Sequence, residues 1–71
     1  MRDDKLILPF EELKDLQRGQ ERTFDFKEHQ ELPRNAVLID RTGGEYYSAE
    51  RLSIQSLGDS LIAIYRIVEV Y

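Results

Sequence analysis

Chemistry in this chain must be built from a narrow set of side chains. His29 is the only histidine and there is no cysteine, so thiolate nucleophiles, disulfides and thiolate–imidazole metal sites are excluded. A Ser-His-Asp arrangement needs a positioned serine with an acid behind the histidine. Ser48, Ser53, Ser56 and Ser60 are present, but none lies in a Gly-x-Ser-x-Gly turn. A hard-cation site would want several carboxylates at loop spacing. Asp3-Asp4 and Glu11-Glu12 are adjacent pairs instead. Gly43-Gly44 has no Lys-Ser or Lys-Thr after it and does not read as a phosphate cradle. The expectation is therefore no catalytic residue, no metal and no cofactor, with His29 an ordinary surface side chain.

Binding chemistry is better represented. Tyrosine and arginine are the types enriched at the energetic centres of interfaces. The segment 40–51 gathers Arg41, Glu45, Tyr46, Tyr47, Glu50 and Arg51 around Gly43-Gly44, and Tyr71 ends the chain. Adjacent Tyr46 and Tyr47 are expected on opposite faces of a strand, one of them toward solvent. Arg41, Glu45, Tyr46, Tyr47, Arg51 and Tyr71 form the candidate partner-binding set. The net charge of −4 argues against broad phosphate-backbone binding, which Lys and Arg drive. Seven of the ten basic residues are nonetheless Arg, the type suited to forked contacts with carboxylate or phosphate.

These residues need elements to hold them. Seventy-one residues make one domain, 1–71, with one small core. Residues 5–8 read as a first strand. Pro9 stands where a helix can start, Glu11 and Glu12 suit its first turn, and Gly19 follows Arg18 as a stop. A helix is therefore expected over 9–18, with Phe10, Leu13 and Leu16 docking on a sheet. Residues 22–27 alternate, with Phe24 and Phe26 inward. Leu32 to Asn35 reads as a turn. Residues 36–40 form a strand, Thr42-Gly43-Gly44 a hairpin loop, 45–48 its return, and 52–55 a further strand. Gly58-Asp59 turns the chain into a last strand over 60–71. That strand is apolar on both faces, so double-sided burial is expected over Leu61 to Tyr65, with fraying beyond.

The resulting fold class is α+β. One short N-terminal helix packs on a small, strongly curled, mostly antiparallel sheet or partial barrel, in the order β-α-β-β-β-β-β. No apolar run approaches the roughly 20 residues of a membrane span. The start, Met1-Arg2-Asp3-Asp4-Lys5, carries acids where a signal peptide carries positive charge. A cytoplasmic protein is expected.

The N-terminal half, from Leu8-Pro9-Phe10 through Leu16-Gln17-Arg18-Gly19 to Phe24-Asp25-Phe26-Lys27, resembles the opening of ASCH domains, relatives of the PUA-like barrel. Those open with a strand, a short helix ending in Gly, and a Lys-Thr-rich strand ending in Arg. Residues 32–39 resemble their turn and following strand, and the last strand their closing strand. The chain departs from the family's pattern at Glu21 (or Arg22) in place of Lys, at Lys27 in place of Arg, and at Arg34-Asn35 in place of Gly-Asp. The resemblance implies a PUA-like shape and binding of RNA or a modified nucleoside. Arg22, Lys27 and Arg34 would then converge beside the helix. One branch of the family is amidohydrolytic, an activity not carried over onto a chain with these replacements.

Two functional expectations follow. The first is a small acidic, non-enzymatic interaction or regulatory protein that binds a larger protein partner, as phage-encoded or bacterial accessory inhibitors and adaptors do. The alternative is an ASCH-like domain that binds RNA or a nucleoside. A third possibility concerns assembly: homodimerisation through the strand from Ser60 to Tyr71, if that strand lies at an edge.

Overall fold

The computed structural model describes residues 4–71; of the start read against a signal peptide, residues 1–5, the first three lie outside them. Five strands and one short helix follow in the order β1 (Lys5–Ile7), α1 (Phe10–Leu13), β2 (Glu21–Lys27), β3 (Asn35–Ile39), β4 (Glu45–Leu57) and β5 (Ser60–Val70). The strands form one curled sheet in the order β1-β3-β4-β5-β2. β1 runs parallel to β3, and every other neighbour is antiparallel. The molecule is mostly sheet and fits a small α+β fold.

Two expectations need correction. The strands expected at 45–48 and 52–55 are one strand, β4. Its register against β5 shifts between Ser48 and Ala49 and again between Arg51 and Ser53. The first shift places its extra residue, Val68, in β5; the second places Leu52 in β4 and resets which of its side chains face inward, so one continuous strand shows broken alternation in sequence. The helix is also far shorter than 9–18. It ends at Leu13, Lys14 is extended at ψ 150°, and Asp15 has φ 65°. Continued as a helix, the Leu13 carbonyl would accept from Gln17 N–H. Instead it accepts from the Tyr47 hydroxyl, while Gln17 N–H donates to Gln20 Oε1 at 3.1 Å. Gly19 serves a turn rather than a helix stop. Gln20 N–H donates to Gln17 O at 3.0 Å and Gly19 takes φ 86°, the glycine position of a type II turn.

The core lies on the concave face. Phe24 and Phe26 point inward as the alternation of β2 predicts, joined by Leu38, Tyr47, Ala49, Ala63, Tyr65 and Ile67. Over them lie Leu13 and Leu16 from the helical segment and Leu32 from the loop before β3. β5 is an inner strand, paired with β2 from Ser60 to Arg66 and with β4 along its length. Its concave residues Ala63, Tyr65 and Ile67 are buried, while Ile62 and Ile64 on the convex face are only half-buried. The double-sided burial expected there is thus one-sided. Val68, Val70 and Tyr71 are exposed, but the end does not fray as expected: Ile67 is buried, Val70 pairs with Tyr47, and Tyr71 N–H donates to Tyr46 O at 3.0 Å.

Candidate functional site

The β3–β4 hairpin builds one end of the sheet. Asp40 organises it with its side chain: Oδ1 accepts from Thr42 N–H at 2.9 Å, Thr42 Oγ1 at 2.6 Å and Gly44 N–H at 2.9 Å. Oδ2 accepts from the Tyr46 hydroxyl at 2.9 Å. These donors favour the charged form and hold the carboxyl at about 2, below its usual 3.8. The same bond raises the Tyr46 phenol above its usual value. Gly43, at φ 92°, supplies the left-handed residue that closes the loop.

This hairpin meets the helical segment and the chain's end. The register shift between Leu38 and Ile39 places an extra residue on the β4 side, so Tyr46 and Tyr47 no longer alternate cleanly. Their ring centroids stand 6.2 Å apart. Phe10 sets its ring edge-on to Tyr46 at 6.1 Å and is 53% exposed. Tyr71 N–H donates to Tyr46 O at 3.0 Å, which brings the last residue beside the same tyrosine, 59% exposed. Arg41 is exposed on the loop, and Glu45 reaches Lys5 of β1 at 3.5 Å.

Of the six residues expected to bind a partner, the fold therefore groups Arg41, Glu45, Tyr46 and Tyr71 at one end. The other two are turned inward. Tyr47 is buried; its hydroxyl donates to Leu13 O and accepts from Leu16 N–H at 3.2 Å. It clasps the open end of the helix, where backbone groups lack helical partners. Arg51 is half-buried and donates through Nη1 to Leu32 O, while its N–H donates to Arg34 O at 2.6 Å. Tyr65 donates to Pro33 O at 2.6 Å and fastens the same loop. Burial raises its phenol. Both inward residues serve packing because a buried carbonyl must find a donor. Phe10 is the surface aromatic that sequence reasoning assigned to the core; its stripe position beside Leu13 concealed that the helix stops before a second turn.

The alternative basic set is not gathered on one face. Arg22 shares the concave side of β2 with Phe24 and Phe26, whereas Lys27 lies five positions on and faces the convex side. Arg34 borders an open groove with Asp4, Lys5 and Glu31 at the far side of the loop. Histidine and carboxylates form no metal-like cluster among the described residues. No described helix is long and apolar enough to cross a membrane. No family model matches the chain, and searches of curated proteins and of solved structures find no similar protein.

Proposed function

We propose that this chain is a small, non-enzymatic interaction protein of inhibitor or adaptor type, and that it holds a larger protein partner through the hairpin end. The observation that carries this reading is the aromatic group at that end: Phe10 and Tyr71, both more than half exposed, flank a Tyr46 held in place by Asp40. Exposed aromatic surface on a rigid support loses little entropy on binding and contributes large contact area. Arg41 and Glu45 supply charges of both signs at its rim, suited to orientation rather than to affinity. The cytoplasm is the proposed compartment.

The test is a pull-down from lysate of the source cells with the wild-type chain and with Phe10→Ala/Tyr71→Ala. A stoichiometric protein partner recovered by the first and lost by the second is expected. Recovery of no partner, or undiminished recovery by the double variant, overturns the reading.

A further inference from the structure

β2 is an edge strand: β5 occupies one side, and no described strand occupies the other. The phase of its hydrogen bonds follows from its start, where Ile67 N–H donates to Gln20 O at 2.8 Å. Along an antiparallel ladder such bonded pairs recur every second residue. Arg22, Phe24 and Phe26, opposite Tyr65, Ala63 and Leu61, therefore direct their backbone groups to β5. Glu21, Thr23, Asp25 and Lys27 direct theirs at the open edge, and all four side chains are exposed on the convex face.

A second copy can add to this edge about a two-fold axis, and only registers that pair outward residues with outward residues use the free groups. Three such registers, centred on Thr23, Phe24 and Asp25, overlap five or more residues of each copy's strand. Centred on Thr23, Glu21 meets Asp25, carboxylate against carboxylate. Centred on Asp25, that residue meets its own copy. Centred on Phe24, Glu21 meets Lys27 and Thr23 meets Asp25, each twice by symmetry. Opposite charges across a strand pair stabilise it and like charges oppose it. Charges on an edge strand ordinarily guard against pairing; here they reject two registers and accept one. Arg66, the in-register neighbour of Glu21, is already engaged by Glu50 at 2.7 Å, which leaves Glu21 for the copy.

We infer that a second copy of the chain docks antiparallel on β2 in the Phe24-centred register, making one continuous sheet from two. Each Thr23–Asp25 pair exchanges two backbone hydrogen bonds. Lys27 O already accepts from Gln30 N–H at 3.1 Å, so the ladder is strongest at its centre. One strand pair falls below the roughly 1,200 Å² of standard interfaces, so the dimer is concentration-dependent rather than obligate. It uses a different edge from the aromatic end and does not depend on the partner proposed for that end.

Sedimentation equilibrium from about 10 µM to about 1 mM at low salt tests it, since screening weakens exposed ion pairs. The wild type is expected to move from monomer to dimer over that range. Lys27→Glu and Glu21→Lys are each expected to weaken association at least tenfold, and the charge-swapped double variant E21K/K27E to restore it. All these positions are exposed, so a circular dichroism spectrum like the wild type's is expected throughout. A chain that stays monomeric across the range, a dimer indifferent to K27E, or a double variant that fails to regain association while folded overturns the proposal. Phe10→Ala/Tyr71→Ala leaves this dimer unchanged.

Discussion

The two halves of the β4–β5 ribbon share one hydrogen-bonded ladder and have opposite fates. In the half from Tyr47 to Arg51, opposite Tyr65 and Ile67, the concave side chains are buried and two tyrosine hydroxyls are tied to backbone carbonyls. In the half from Leu52 to Leu57, Leu52, Ile54 and Leu57 are exposed, although the hydrogen-bonded ladder to β5 continues to Ser60. Ile54 sits directly opposite the buried Ala63. The ladder alone does not make core. The core cluster takes in Leu13, Leu16 and Leu32 from outside the sheet, and none of Leu52, Ile54 and Leu57 belongs to it. Pleated backbone and apolar side chains form a strand; a second layer makes it a core.

Substitutions can break this contrast in graded steps. Tyr65→Ala should cost about 3–5 kcal/mol in urea unfolding, the range for removing a buried aromatic, and leave so small a domain largely unfolded. Tyr47→Phe keeps the ring but leaves Leu13 O without its donor, an expected loss of about 1–3 kcal/mol. Amide exchange at Leu16 should quicken at the same time, because the helix end loses its clasp. A Tyr47→Phe chain as stable as the wild type would show that packing alone holds the helical segment.

Asp40 sharpens the contrast from the hairpin side. Its folded value of about 2 lies below the ordinary 3.8, so its contribution is complete above about pH 4 and is lost as pH falls through 2. Wild-type stability should drop across that window, and Asp40→Ala should be less stable at neutral pH with a flatter profile there. Equal slopes for the two would remove Asp40 as the organiser of the turn. The smallest effect belongs to the uncovered half: Ile54→Ala and Leu57→Ser should each shift stability by no more than about 0.5 kcal/mol. A loss of 2 kcal/mol at Ile54 would mean that it is covered in solution.

Local sequence carried much of this fold. The alternation of β2 placed Phe24 and Phe26 inward, and Gly43 and Gly58 marked both hairpins, each with positive φ. Legibility failed where a distant side chain decided the backbone. Nothing near Leu13 announces that Tyr47 will take its carbonyl and stop the helix, and nothing near Ser48 or Arg51 announces bulges that join two apparent strands. The hairpin end was half legible for the same reason. Residue types singled out Arg41, Glu45, Tyr46 and Tyr71, but the same criterion also took Tyr47 and Arg51, whose polar atoms are spent on Leu13 and Leu32. Phe10 was hidden by its helical spacing.

The placement of β5 between β4 and β2 has a consequence for how the molecule is made. Among the described strands β2 pairs only with β5, with Phe24 opposite Ala63, and β1 must wait for β3, with Leu6 opposite Leu38. During synthesis, then, β2 has no strand to pair with until residues 60–66 leave the ribosome. Before then the sheet can grow only from β3 and its neighbours β1 and β4, and β2 joins by closing a long loop, which slows folding relative to local pairings. Loss of the last strand would therefore leave β2 and β4 as open apolar edges together, a state prone to aggregation rather than a shorter working domain.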